Sequence, residues 1–206
     1  MWVGAPVATP GRRSGVDRAT AADVDAALAA SAHRDPAAFE ALYRRHLPGV
    51  YRYVYARVGS AAEAEDLTAA VFMDALTSLA RYEEQGRFCA WLYTIARRQV
   101  SGFRRRRRRE TGLGLTADDV DLDALAGAPS RRLAALEQAD ELVPALATLS
   151  DDQREALALR FFADLKVAEI AAIMGKGESA VKMILHRGLL QLRAVIEPRE
   201  ARHDGA

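Results

Sequence analysis

The sequence has a single cysteine, Cys89, among 206 residues. An intramolecular disulfide is excluded, and so is any metal site built from paired cysteines. Histidine is also scarce: His33, His46, His186 and His203 are the only four. They are scattered, with no metal-ligand cluster and no nucleophile–base spacing. No glycine-rich phosphate loop stands beside them, so no catalytic residue, metal or cofactor is expected. The chain also lacks an apolar run long enough to span a bilayer. Arg12, Arg13 and Arg18 precede no apolar stretch, which removes the secretory signal pattern. A cytoplasmic protein that binds rather than catalyses is the expectation, with no membrane insertion. A strong net charge is missing too, since 29 basic and 28 acidic side chains leave a formal +1. That balance hides a strong segregation of charge along the chain.

Half of the residues are apolar, enough to bury a core. Their spacing is helical almost throughout residues 23–109. Asp35 before Pro36 is a helix start, because the carboxylate accepts from free N–H groups and proline suits the first turn. The helix carries Phe39, Leu42, Leu47, Val50, Val54 and Val58, is expected to bend at Pro48, and stops at Gly59. A second helix over 61–80 has Leu67, Val71, Phe72, Ala75, Leu76 and Leu79 as its inner stripe. Its outer side holds Glu63, Glu65, Asp66 and Asp74, a charge set expected to face a protein. A third begins near Arg87, with Phe88, Trp91, Leu92, Ile95 and Ala96 as its apolar face, and ends in six arginines, Arg104 to Arg109. Like charges in such density fray a helix end unless anions stand nearby.

Residues 110–136 lose the helical period and gain glycines and acids, the composition of a flexible acidic linker. Helix resumes over 137–197. Ser150 followed by Gln153 is a capping box, with Leu157, Phe161 and Phe162 as the inner face behind it. A short helix over 167–174, a turn at Gly175-Lys176-Gly177 and a longer helix from Glu178 to Ile196 complete the chain's ordered part. Residues 1–22 read as a flexible extension and 198–206 as a polar tail. The expected fold is all-α: two small helical domains joined by the linker, the C-terminal one a helix-turn-helix.

Two segments carry function. In a helix-turn-helix the second helix lays its outer face in the DNA major groove. Here Val181, Leu185, Gly188, Leu189 and Leu192 form the inner stripe. Ser179, Ala180, Lys182, Met183, His186 and Arg187 are left for DNA. Lys182 and Arg187 reach phosphates; Ser179 and His186 bond phosphates or base edges; Met183 offers an apolar contact. A helical hairpin with a solvated charged face is the plainer alternative. The second segment interleaves Arg81, Arg87, Arg97 and Arg98 with Tyr82 and Trp91. Cations that track a backbone and rings that stack on bases are what single-stranded DNA requires, each stack being worth about 1–3 kcal/mol. Against this, Phe88 and Trp91 also fit a plain core stripe.

In their order and spacing these segments resemble one family. Residues 64–72 and 88–98 resemble the region-two domain of extracytoplasmic-function (ECF) sigma factors. Residues 149–160, 167–175 and 180–187 resemble their region-four domain. The resemblance implies a sigma factor that binds core RNA polymerase through Asp66, Leu67, Val71 and Phe72. It further implies capture of the melted −10 strand on Arg81, Tyr82, Arg87, Trp91, Arg97 and Arg98. The −35 duplex is then read by the helix-turn-helix, an anti-sigma factor restrains the protein, and no homo-oligomer is needed. The domains implied are region two over 23–109 and region four over 137–197. The chain departs from the pattern at Ala69-Ala70, which removes part of the polymerase contact the resemblance implies, and at Arg98, Gly102, Ala180, Met183 and Ile184; these leave the class intact and alter the promoter sequence read. An autonomous helix-turn-helix regulator is the rival, and it leaves the arginine-rich third helix unexplained.

Overall fold

The computed structural model describes the backbone of residues 15–83, 87–110, 145–146 and 148–203, with side chains within those ranges from 22 to 195. Helix α1 spans Gly15–Ser31, α2 Pro36–Val58, α3 Ala61–Ser78 and α4 Phe88–Glu110. A single 3-10 turn, Leu79–Arg81, closes α3. Then come α5 over Asp151–Phe162, α6 over Val167–Met174 and α7 over Glu178–His203. The described residues contain no strand.

The local signals act as their chemistry requires. The Asp35 carboxylate accepts from Ala37 N–H at 2.9 Å, with Pro36 in the first turn. The helix runs on through Pro48 to Gly59, whose φ of 78° lets it cap the end. Ser60 then caps α3 through the N–H of Glu63. Ser150 and Gln153 form the full capping box at the start of α5, each side chain bonded to the other's backbone.

Several expectations shift. Helix α1 starts at Gly15, inside the segment read as an extension, and α7 continues to His203, past the expected end at Ile196. Strong helix formers such as Glu197, Arg199, Glu200 and Ala201 carry it on. Leu76 and Phe161, expected inside, are 44% and 59% exposed. The expected linker lies outside the described residues except for Glu110, the last residue of α4.

In the first half α2, α3 and α4 pack on one another and α1 lies across α2 and α4. Asp25 of α1 anchors this contact, pairing with Arg45 at 2.8 Å and His46 at 2.9 Å. In the second half α5, α6 and α7 pack mutually. Arg154 is buried there and donates through Nε to Leu146 O and through a terminal nitrogen to Leu149 O, both at 2.9 Å. The chain entering α5 is thereby fixed to the helix itself. The two halves are also packed together, α2 against α5 and α4 against α6, and one continuous buried cluster runs through both.

Candidate nucleic-acid interface

The helix-turn-helix is α6, the turn at Gly175–Gly177 and α7. Helix α6 buries Ile170, Ala171, Ile173 and Met174. Gly175 has φ 66° and returns its N–H to the carbonyls of Ala171 and Ala172, a left-handed cap that β-carbon-bearing residues rarely adopt. Helix α7 then buries Val181, Leu185, Gly188 and Leu192 against the domain. Leu189 does not belong to that stripe, being 46% exposed. One step beyond Gly188 turns a helical residue by about 100°, out of the buried face.

Ser179, Ala180, Lys182, Met183, His186 and Arg187 are all exposed, and Ile184 beside them is half-buried. The six candidate contacts thus sit on the open side of a helix whose other side is fixed. That division is what a major-groove reader needs.

The second candidate surface lies on α4 and the turn before it. Phe88 is buried, as are Leu92, Tyr93, Ile95, Ala96 and Val100. Trp91 is half-buried, its ring 4.7 Å from that of Tyr82 and 5.5 Å from that of Phe88. Phe88 is thus core, while Tyr82 and Trp91 keep part of each ring open. Arg81, Arg87 and Arg98 are exposed beside them. Arg81, Tyr82, Arg87 and Trp91 face a cleft of about 620 Å³, whose opposite wall includes Lys166 and Glu169 of the helix-turn-helix. Residues 84–86 of the loop lie outside the described residues.

Arg97 turns the other way, toward Glu155 of α5 at 3.8 Å. Arg98 pairs with Asp74 at 3.2 Å, and Gln99 donates to the same carboxylate at 2.7 Å. Arg104 bonds Asp151 at 2.7 Å and Arg107 pairs with Glu63 at 3.1 Å. Nearby anions are therefore in place, and α4 remains helical through all six arginines. The acids of α3 are put to a use the sequence reading did not assign: Glu63 and Asp74 hold the basic helix of their own half.

The polymerase-facing set needs a correction. Asp66 is exposed, but Leu67, Val71 and Phe72 are buried at 6%, 0% and 5% exposure. They form the inner stripe of α3 and pack that helix into the core. The open apolar side chains of α3 are Met73 and Leu76. Among the described residues no group of His, Cys, Asp or Glu is placed to hold a metal ion.

The sequence reading missed Tyr53, Arg57, Asp151 and Glu155, which meet between the halves. Tyr53 Oη donates to Glu155 at 2.6 Å, and Arg57 pairs with Glu155 at 3.1 Å and donates to the Asp151 carbonyl at 3.1 Å. Burial pushes the Tyr53 hydroxyl well above its usual pKa, and the Glu155 charge adds to the effect. At Asp151 burial raises the pKa, yet the Arg104 hydrogen bond and the charges of Arg57, Arg104 and Arg154 prevail and hold it below 3.8. Tyr53 and Arg57, spaced i, i+4 on α2, were the available signal, a polar-tipped stripe beside the apolar one.

Comparison with known proteins decides the class. The family model for sigma-70 region 2 matches residues 42–110, and that for sigma-70 region 4 matches residues 145–194. The chain belongs to the sigma-70 family, in its ECF group. It is 35% identical over 188 residues to the ECF RNA polymerase sigma factor BldN of Streptomyces coelicolor, covering 91% of this chain and 66% of BldN. It is 33% identical over 169 residues to the sigma factor CarQ of Myxococcus xanthus, covering 77% of this chain and 89% of CarQ. Among solved structures, CnrH in complex with the cytosolic domain of CnrY superposes with a TM-score of 0.64 at 20% identity, covering 85% of this chain and 98% of CnrH. RpoE of Bartonella quintana with the anti-sigma factor NepR gives 0.61 at 24% identity, covering 77% and 96%. These two show the shared all-helical fold. In this sigma factor the matched regions coincide with the two packed halves, α2 to α4 and α5 to α7. A match to both regions, rather than to the helix-turn-helix alone, sets the autonomous regulator aside.

Proposed function

We propose that this ECF sigma factor lends promoter choice to RNA polymerase through two separate DNA surfaces. The observation that carries the reading is the one-sided exposure of the recognition helix, with Ser179, Ala180, Lys182, Met183, His186 and Arg187 open and Val181, Leu185, Gly188 and Leu192 packed. That helix reads the −35 element as duplex, Lys182 and Arg187 contacting phosphates. The melted −10 strand is taken by the other surface, its bases against Tyr82 and Trp91 and its backbone along Arg81, Arg87, Arg97 and Arg98. Supporting this division, Arg81 and Arg87 share one wall of the cleft with Tyr82 and Trp91.

Core polymerase docks on the outer side of α3. Asp66, Met73 and Leu76 share that side, and all three are exposed. The chain binds but does not catalyse; the chemistry is the polymerase's. Its place of action is the cytoplasm, consistent with the finding that no helix among the described residues is long and apolar enough to cross a membrane. An anti-sigma factor that restrains it belongs to the same proposal, on the family resemblance.

Size exclusion of the purified protein mixed with sigma-free core polymerase, at moderate salt, tests the reading. Co-elution is expected. A chain that fails to co-elute but binds duplex DNA alone returns the autonomous regulator to first place.

A further inference from the structure

We propose that the acids of α5 clasp the region-two half shut, an intramolecular brake on single-strand capture that rests on the sigma-factor reading above. Glu155 is buried and accepts the Tyr53 hydroxyl at 2.6 Å, with Arg57 at 3.1 Å and Arg97 at 3.8 Å. Asp151, one turn earlier, takes Arg104 at 2.7 Å and Arg57 at 3.4 Å. Two region-four carboxylates thereby sit where phosphates would sit, on a cation of the −10 surface and on the first arginine of the basic run.

The contact is close in its backbone as well. Tyr93 Oη donates to Phe162 O at 3.3 Å, and Cys89 Sγ to Ala163 O at 3.5 Å. A β-carbon at Gly49 would lie 2.8 Å from the Phe162 carbonyl oxygen, so the two halves meet with no room for a methyl group. On the same side of the contact Lys166 and Glu169 wall the cleft onto which Tyr82 and Trp91 open. A strand cannot lie along Arg97 and Arg104 while Glu155 and Asp151 hold them. Like charges exclude it, and α5 fills the space.

The physics favours a two-state device over a fixed union. Arg57 and Glu155 are each 7% exposed in their side chains, so the pair is desolvated when the halves meet. Removing one partner leaves an uncompensated buried charge in the closed form alone, because water takes both groups once the halves part. The affinity of a protein whose competent state is a minor fraction falls by that fraction, and any change that frees the halves restores it.

Cys89 reports the state. It is the only cysteine, it bonds across the contact, and its thiol is pushed up to about 12, by burial first and then by Asp25, Glu169 and Asp164. Thiol labelling by an aromatic disulfide reagent at constant pH would be measured on the full-length chain alongside anisotropy with a short A·T-rich single-stranded oligonucleotide. Two variants act by unrelated routes: Glu155→Gln removes the charge, and Gly49→Ala wedges the backbones while improving the local helix propensity. Both should label about tenfold faster and bind the oligonucleotide about tenfold more tightly, with unchanged helical circular dichroism. Faster labelling without tighter binding would show that the contact restrains no DNA surface. Unchanged labelling in both variants would show that these groups do not hold the halves. Co-elution with core polymerase, run in parallel on the wild-type chain, separates the two ideas. Its failure removes the sigma reading and the brake's role in initiation with it, whereas success beside unresponsive variants removes only the brake.

Discussion

Tyr53 and Glu155 are separated by 102 positions in the chain and by 2.6 Å in the structure, phenol donating to carboxylate in a buried site. The bond ties the C-terminal third of α2 to the first turns of α5. It lies where the two halves join in one continuous core, a union that nothing in their separate hydrophobic patterns announces.

Arg154 is the fastener of the second half. Arg154→Ala strips partners from the buried carbonyls of Leu146 and Leu149, each such loss costing about 1–3 kcal/mol. Urea denaturation should show the region-four half losing roughly 3 kcal/mol, taken as the lower-middle of two such losses. Lysine should not rescue it, since one ammonium does not span two carbonyls as a guanidinium does.

The acid limb of stability should carry the signature of Asp151. Its carboxyl is held below 3.8 in the folded protein, burial being outweighed by Arg104, Arg57 and Arg154. A depressed value contributes stability that is complete above the unfolded pKa and is lost as pH falls through the folded one. Thermal melts of the wild type should therefore be insensitive to this group from pH 7 to about 5 and decline below about 4. Asp151→Asn should flatten part of that decline; an identical acid limb in both proteins would remove Asp151 as its source.

Lys182→Glu should weaken binding to a −35 duplex and lower the salt dependence by about one phosphate contact. Polymerase binding should be untouched, because Lys182 lies on the exposed face of α7, remote in the chain from α3. Equal loss of both activities in a gel-shift and co-elution pair would overturn the assignment of that face.

Asp66→Arg should reduce co-elution with core polymerase while leaving the melting temperature nearly unchanged, since the side chain is exposed. Met73→Glu should do the same, its side chain being 61% exposed on that side of the helix. If polymerase binding survives both, the outer face of α3 is merely solvated.

Gly188 marks where α7 presses on α5: a β-carbon there would stand 2.8 Å from Leu157 Cδ1. Gly188→Val should cost about 1–3 kcal/mol by overpacking. Gly188→Ala should cost less, because the obstacle is the end of a flexible side chain. Chemical denaturation of the two variants gives the order directly.

Helix starts, the glycine turn of the helix-turn-helix and the six open residues of α7 were legible because each depends on near neighbours. Asp35, Ser150 and Gly175 act within one or two turns of themselves. Phe161 and Leu76 were misplaced because a helical period names a stripe without fixing how wide it is or where the neighbour ends. Leu67, Val71 and Phe72 were assigned to a partner on family resemblance, although the apolar stripe already placed them inside. The contact between the halves was illegible for another reason. Tyr53 and Arg57 look like surface groups beside the apolar stripe of α2, and Asp151 reads as a first-turn acid. Only the folded chain brings them together.

The tightness at Gly49 carries a consequence for modularity. A surface that admits no extra methyl group and matches two acids to three arginines is not a generic joint. A chimera that joins this region-two half to another relative's region-four half would keep the proposed DNA faces of each half yet lose the fit between them. A change at Glu155 or Asp151 unsettles Arg57, Arg97 or Arg104 across the joint, so in this chain the two halves are fitted to each other rather than interchangeable modules.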